Sequence, residues 1–278
     1  MSAVFSYKYI ESPFTEGKMN KRIALVSANF NNFDSVKQLP ATDGIDSFFY
    51  CDENTRASLS AEVAASWTRI IVPNYPRHDF EPRLRARYFK HQIHRLDEVR
   101  DHRWLVWSDS SIRFRETRFV VDRCRALESR LPQQRALVIP HPYRKTVLEE
   151  YEYLSAKIRM GSIYQVERYG REKMPEQMAY YSERGWSVEA PLYCGTFWII
   201  ENSDALRRCW DDWWDQNIRF GMMDQLSLPV MLAQHRLEPQ LLSVPLQNNE
   251  YFTVESHIEQ APSFELLRRI ARRVRRIL

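Results

Sequence analysis

The chain has 278 residues, of which 44% are hydrophobic and 27% are charged, so it carries enough apolar side chains to bury a core. This composition excludes disordered and collagen-like proteins. The four cysteines form no C-x-x-C pair and no zinc spacing, which favours reduced thiols. The net charge of +4, from 40 Lys+Arg against 36 Asp+Glu, is too balanced for a surface devoted to nucleic acid, so we expect no nucleic-acid partner.

No stretch approaches the roughly 18 apolar residues of a membrane span, and the amino terminus lacks the apolar run of a signal peptide. We therefore expect a cytoplasmic protein. At about 150 residues per domain the length allows one or two domains. We expect one α/β domain over residues 1–262 and a separate segment over residues 263–278.

Short apolar runs alternate with helical patterns along the chain. The runs that predict strands cover residues 22–28, 46–50, 67–72, 104–107 and 136–139. Apolar residues at helical spacing predict helices over residues 83–99, 146–158 and 203–217. Alternation of this kind predicts a mostly parallel sheet flanked by helices.

Polar residues at strand ends are candidate site residues, because ligands of such sheets bind beyond the carboxyl ends of the strands. Ser27 and Asn29 hold this position in the first strand, and Asp109 and Ser111 follow the fourth. A carboxylate with a hydroxyl two residues later, on the same side, can bind the divalent cation that holds a diphosphate. A tight turn is the alternative for Asp109 and Ser111.

Basic residues cluster on the first predicted helix. Arg87 and Lys90 lie three residues apart and share a helix face, and Arg83 lies one turn earlier. Cations in this arrangement are typical of contacts with a phosphate or diphosphate. A solvated charged face is the alternative, although such faces seldom include aromatic residues like Tyr88 and Phe89.

Two later segments add polar candidates. His141 and Arg144 follow the fifth predicted strand and can bind a phosphate or a sugar hydroxyl, with a structural histidine as the alternative. Gly195 permits close backbone approach. Asp224 and Gln225 begin a predicted helix and offer an acceptor and an amide to a polyhydroxylated ligand.

The segments IALVSANF, RLRARYFKH, WLVWSDSSI, HPYRKTVLEEYE and WWDQNIRFGMMDQLSL together show a family resemblance. Over most of residues 22–231 the chain resembles the glycosyltransferase-like family once catalogued as domain of unknown function 616. The CGTF segment followed by DQ is also similar to the family 8 glycosyltransferases. The resemblance implies a GT-A-type (Rossmann-like) fold and a site for a UDP- or GDP-sugar donor.

The resemblance also implies roles for individual residues. Asp109 would be the first residue of an Asp-x-Asp motif that binds Mn²⁺ or Mg²⁺, and Arg87 and Lys90 would bind the donor. Asp224 and Gln225 would contact the sugar as the catalytic pair.

The chain departs from the family pattern at the metal motif. Ser111 takes the place of the second acidic residue, and one carboxylate holds a divalent cation less firmly than two. His257 is the candidate third metal ligand, with His235 as the second choice. The implied activity is sugar transfer to an acceptor hydroxyl in bacterial-type surface glycan or glycolipid synthesis. The alternative, favoured by Ser111, is a non-catalytic nucleotide-sugar or carbohydrate-binding module.

The last sixteen residues, 263–278, predict a basic amphipathic helix. Six arginines surround an apolar stripe of Leu267, Ile270, Val274 and Ile277. Such a helix can hold the protein on the anionic inner face of a membrane, near a lipid-linked acceptor. A helix packed on the domain, with solvated arginines, is the alternative.

Overall fold

The computed structural model describes residues 23–74 and 81–255. His257 and the predicted helix over residues 263–278 lie outside the described residues. Within the described part of the chain, no helix is both long and apolar enough to cross a membrane.

The apolar runs of the sequence form strands at nearly the predicted positions. The strands are β1 (Ile23–Asn29), β2 (Ile45–Cys51), β3 (Arg69–Ile71), β4 (Trp104–Ser108), β5 (Ile112–Phe114), β6 (Ala136–Pro140), β7 (Tyr193–Glu201), β8 (Gln240–Leu241) and β9 (Phe252–Val254). Seven of them form one sheet in the order β3-β2-β1-β4-β7-β6-β8, and β5 pairs with β9 in a second, antiparallel sheet. In the large sheet β7 runs antiparallel to β4 and β6, and the other pairs are parallel.

Helices cover the sheet. They are α1 (Glu53–Ala57), α2 (Ala61–Ser66), α3 (Pro82–His91), α4 (Arg118–Glu128), α5 (Val147–Arg159), α6 (Ile163–Tyr169), α7 (Met174–Glu183), α8 (Asp204–Phe220) and α9 (Asp224–Gln234). Short 3-10 turns occur at Ile93–Arg95, Asp97–Val99 and Pro132–Gln134. The predicted α/β class, a mostly parallel sheet flanked by helices, is confirmed.

The side chains of β1 show why the sheet has helices on both faces. All seven residues of β1 are buried, as expected for a parallel strand covered on both sides. Ala24 and Val26 pack in a core with Phe89 of α3 and Trp213 of α8. Leu25, which points to the opposite face, packs in a second core that includes α4 and the small sheet.

The helix predicted over residues 83–99 is shorter in the structure. It ends at His91, because Gln92 leaves helical geometry, and two 3-10 turns follow. The apolar residues beyond the end of the helix are nevertheless buried, since Ile93, Leu96 and Val99 lie in the same core as Phe89. The turns bury these residues while they lead the chain to β4.

Candidate functional site

A cleft opens where the carboxyl ends of β1 and β4 face α3. The two strands are parallel neighbours, so Asn29 and Asp109 reach the same edge of the sheet. Arg83, Arg87 and Lys90 of α3 line the opposite wall. Five of the residues expected at a ligand site therefore line one cleft.

A buried ion cluster lies behind the cleft wall, and of the expected residues around it Arg87 and Lys90 line the cleft whereas Asp224, Gln225 and Gly195 do not. Nζ of Lys90 lies 2.6 Å from Oδ2 of Asp224, and Arg87 donates a hydrogen bond to the same oxygen. Lys90 is 1% and Asp224 is 3% exposed. The spacing of Arg87 and Lys90 on one face of α3 brings both cations to one carboxylate. The position of Asp224 at the first residue of α9 adds the favourable field of a helix amino terminus.

Gly195 on β7 leaves the space that this cluster occupies. A Cβ atom at this position would lie 2.7 Å from Oδ2 of Asp224 and 3.1 Å from Nζ of Lys90. Only a glycine allows both groups to approach the strand so closely. The expected close approach at Gly195 is thus made by a buried carboxylate and an ammonium group.

The neighbouring positive charges keep the Asp224 carboxyl group ionised. Burial alone would raise the pKa of Asp224, but the positive charges of Arg87 and Lys90 outweigh burial and hold that pKa well below its usual value. The same attraction raises the pKa of Arg87, although burial opposes it. At neutral pH Asp224 is therefore ionised and forms ion pairs with Arg87 and Lys90.

His91 completes the cluster and was not singled out by the sequence. Its Nε2 lies 3.3 Å from Oδ1 of Asp224, and its ring packs edge-on against Trp213. Burial lowers the pKa of His91 to about 4, even though the Asp224 carboxylate favours protonation. His91 is therefore neutral at physiological pH. His91 is the last residue of α3, and nothing in the sequence pattern around it predicts the contact with Asp224.

Asp109 stands on the cleft side of the cluster. Nε1 of Trp107 donates to its Oδ1 over 2.6 Å, and Nζ of Lys90 lies 3.3 Å from the same oxygen. Its backbone N–H donates to the carbonyl of Thr196 on β7. The carboxylate is consequently oriented by one indole and one ammonium group while its side chain stays 34% exposed.

The structure does not bring Ser111 to the cleft. Strand alternation ends at Ser108, and the backbone N–H of Ile112 donates to the carbonyl of Asp109 in a tight turn. The turn buries Ser111, and its neighbour Ser110 lines the cleft instead. The turn alternative for this segment is therefore the one that the structure shows.

The described donors do not fit the expected Mn²⁺ or Mg²⁺. Residues 23–74 and 81–255 hold no group of three or more His, Cys, Asp or Glu side chains arranged to bind a metal. Of the expected ligands, Ser111 is buried away from the cleft and His257 lies outside the described residues. Oδ1 of Asp109 is already held by the Lys90 ammonium and the Trp107 indole. His235 ends α9, about 16 Å along the helix from Asp224, and bonds with Asp212.

Other candidate residues are Asn29 and Ser27 of β1 and Gln225 of α9. Asn29 lines the cleft and fixes the loop after β1, since the backbone N–H of Asp34 donates to its Oδ1. Ser27 is buried and lines a small neighbouring cavity together with Asp109. Gln225 is half-buried beside Asp224.

His141 and Arg144 are held apart from the cleft. Nδ1 of His141 accepts the backbone N–H groups of Tyr143 and Arg144, and burial lowers the pKa of His141 to about 4. Arg144 pairs with the buried carboxylate of Glu150. Strand β6, which they follow, is separated from β4 by β7. The structural alternative for His141 is the one that these contacts support.

Arg168 of α6 also lines the cleft and was not found from the sequence. Its carbonyl accepts a hydrogen bond from Nη1 of Arg83 over 3.4 Å. Nη2 of Arg83 and Nε of Arg168 are buried, and neither has a hydrogen-bond partner in the part of the chain that the structure describes. Two guanidinium groups at the cleft thus keep unused donors.

In comparisons with known proteins, the chain is similar to solved structures in its fold only. No family model and no curated protein matches the chain. Among solved structures it is similar to mouse xyloside xylosyltransferase 1 in its apo form, with a TM-score of 0.43, 10% identity, and coverage of 80% of this chain and 85% of that one. It is also similar to the galactosyltransferase LgtC in complex with donor and acceptor sugar analogs, with a TM-score of 0.41, 12% identity, and coverage of 78% and 72%. Likeness at this level carries no conclusion about function.

Proposed function

We propose that the protein is a GT-A-type glycosyltransferase, which moves a sugar from a nucleoside diphosphate sugar to an acceptor hydroxyl. The observation that carries this proposal is the buried, ionised Asp224, paired with Arg87 and Lys90 behind the cleft wall. Burying such charges is costly, and hydrophobic residues would stabilise a core as well or better. Strongly perturbed carboxylates in clefts are therefore candidate functional groups. The resemblance to two glycosyltransferase families gives this site its substrate class.

The reaction places opposite charges at two positions. As the bond between the anomeric carbon and the diphosphate oxygen breaks, negative charge grows on the diphosphate and positive charge grows on the sugar ring. Lys90 and Arg87 line the cleft and supply fixed positive charge toward the leaving group. The acceptor oxygen forms the new bond to the anomeric carbon, and its proton passes to the departing diphosphate or to solvent.

Asp224 would serve the sugar side of the reaction. Its low pKa keeps it ionised, so it can stabilise positive charge near the anomeric carbon or orient a sugar hydroxyl. Gln225, the next residue of α9, would add an amide contact to the sugar. Asp109, held by Trp107 and Lys90, would contact the donor from the strand side.

The proposals for the acceptor and the cellular site rest on the family resemblance and on the composition of residues 263–278. We propose a surface glycan or a glycolipid as the acceptor and peripheral attachment to the inner face of an anionic membrane through residues 263–278. A UDP- or GDP-linked hexose is the proposed donor.

A non-catalytic nucleotide-sugar-binding module is the second candidate. It is favoured by Ser111, which removes the second carboxylate of the expected motif, and by the internal neutralisation of Asp109 and Asp224 by Lys90. Such a module would bind a nucleotide sugar without breaking it.

The test is a panel of UDP-, GDP- and CDP-sugars incubated with the full chain and mixed glycan and glycolipid acceptors, with and without Mn²⁺. Release of the nucleoside diphosphate, together with a mass increase of one hexose on an acceptor, is the expected result. Binding of one donor by calorimetry without release would favour the module. Neither binding nor release with any donor would contradict both candidates.

A further inference from the structure

We infer that the cleft binds the nucleoside diphosphate through its own cations, Lys90 and Arg87 with Arg83 and Arg168, and does not need a divalent metal. This inference rests on the proposed function and names how that site takes the anionic part of its substrate. It departs from the Mn²⁺ or Mg²⁺ requirement that the family resemblance implies.

The carboxylates at the cleft are already neutralised. Oδ1 of Asp109 receives the indole N–H of Trp107 and lies 3.3 Å from the Lys90 ammonium. Oδ2 of Asp224 receives both Lys90 and Arg87. A divalent cation on either carboxylate would be placed against a buried positive charge, and like charges repel strongly at such distances in a poorly solvated site. Magnesium in nucleotide sites is usually held by one or two carboxylates together with phosphate oxygens, and here the Asp109 carboxylate that faces the cleft already shares Oδ1 with Lys90 and Trp107.

Two guanidinium donors on the opposite wall lack an acceptor in the described part of the chain, although the buried Glu172 carboxylate interacts with Arg83. Nη2 of Arg83 and Nε of Arg168 are buried donors without a partner among residues 23–74 and 81–255. A buried donor without an acceptor is unfavourable, and two neighbouring guanidinium groups also repel each other. Burial and the charge of Arg168 both lower the pKa of Arg83. An anion bound between the two guanidinium groups would relieve the repulsion, and a small side-chain rotation would let it accept from both buried donors.

Guanidinium groups match the oxygens of a diphosphate. Their planar donors form paired, charge-assisted hydrogen bonds with phosphate oxygens. Among the described residues, the cations of Arg83, Arg87, Lys90 and Arg168 line the cleft together with the carboxylates of Asp34 and Asp109. Arg87 and Lys90 are also paired with Asp224, so Arg83 and Arg168 have the larger share of uncompensated charge. The wall from α3 to α6 therefore supplies charge that many nucleotide sites take from a metal ion.

The experiment is isothermal titration of the full chain with UDP and with GDP, first in EDTA and then with Mn²⁺ or Mg²⁺ in excess. We expect at least one of the two nucleotides to bind in EDTA. Its Kd should change by less than about threefold when the metal is added. Arg83→Ala and Arg168→Ala should each weaken binding in EDTA roughly tenfold. Arg118→Ala, which removes an exposed arginine of α4, is the matched control and should leave Kd unchanged.

Two further measurements separate binding from folding. The melting temperature of each variant without nucleotide shows whether it folds, and Arg83→Lys, which keeps the charge without the planar donors, should fold and bind with intermediate affinity. Binding that disappears in EDTA and returns with Mn²⁺ would overturn the inference while leaving the proposed function in place. Full affinity in both alanine variants would also overturn it. Absence of nucleotide binding with and without metal would contradict the proposed function itself.

Discussion

The ammonium nitrogen of Lys90 lies 2.6 Å from a carboxylate oxygen of Asp224, and both side chains are almost fully buried. The two residues are 134 positions apart in the sequence. The contact joins α3 to the start of α9 beneath the cleft. It therefore links the wall that carries the cations to the carboxylate that faces the sugar in our proposal.

Removing Lys90 should destabilise the protein. Lys90→Met fills similar space but leaves two carboxylates with one cation fewer, so we expect the free energy of unfolding to fall by roughly 3 kcal/mol. Urea denaturation followed by circular dichroism measures this change. Arg118→Ala, which breaks an exposed pair with Asp122, should cost less than about 1 kcal/mol. Equal effects of the two variants would show that the buried pair is not needed for the fold.

Gly195→Ala should disturb the same cluster from the strand side. The added methyl group would stand 2.7 Å from Oδ2 of Asp224, so either β7 or α9 must shift. We expect a loss of about 1–3 kcal/mol in unfolding free energy, as in other overpacked cores. Thr196→Ala, one residue along β7, is the control and should cost at most about 1 kcal/mol. A Gly195→Ala variant as stable as the parent would contradict the role of this glycine in leaving space for Asp224.

His91 should make stability depend on pH. Its pKa is about 4 in the folded protein and 6.5 when unperturbed, because burial disfavours the charged ring. Between these values the unfolded chain binds more protons, so stability falls as pH drops from 6.5 toward 4. The expected loss is on the order of 3 kcal/mol.

The measurement for His91 is the unfolding free energy of the parent and of His91→Asn at several pH values across this window. We expect the variant to lose less stability than the parent as pH falls. His141→Asn is a second test, since burial lowers the pKa of His141 to about 4 as well, and this variant should also lose less stability than the parent as pH falls. Parallel pH profiles for parent and His91→Asn would show that His91 does not titrate in this range.

Much of the fold was predictable because buried parallel strands are continuous apolar runs. The strand Ile23–Asn29 is one example, and the pairing of Arg87 with Lys90 on one helix face follows from helical spacing alone. The antiparallel placement of β7 between β4 and β6 was not predicted, since it depends on contacts between distant segments. A sequence pattern also cannot show that both cations meet Asp224.

The turn after β4 shows a second limit. The two-residue period of a strand predicted that Asp109 and Ser111 share a side, but the strand ends at Ser108. The tight turn over residues 109–112 breaks the period, because turn residues do not alternate between two faces as strand residues do. Ser110 therefore takes the place at the cleft that Ser111 was expected to hold.

Residues 263–278 should carry the protein to anionic membranes. Six arginines lie around an apolar stripe in this segment, so binding should be electrostatic and weaken as salt rises, with screening over about 8 Å at physiological ionic strength. Co-sedimentation with phosphatidylglycerol vesicles measures it, and a chain ending at Pro262 is the control. Equal sedimentation of both chains, or of neither at low salt, would assign the segment another role.

The most direct measurement of sugar transfer at this cleft is the steady-state kinetics of the parent and of Asp224→Asn, with the donor that the panel identifies. The substitution keeps the shape of the side chain and removes its charge, so the variant is compared at a temperature where unfolding curves show both proteins folded. Asp212→Asn, which changes an exposed carboxylate of α8, is the matched control. We expect Asp224→Asn to lower kcat by roughly a hundredfold or more, with a donor KM within about threefold of the parent, because a charge at the reacting sugar acts mainly in the transition state. Sugar transfer at the parent rate by Asp224→Asn would contradict a catalytic role for this carboxylate.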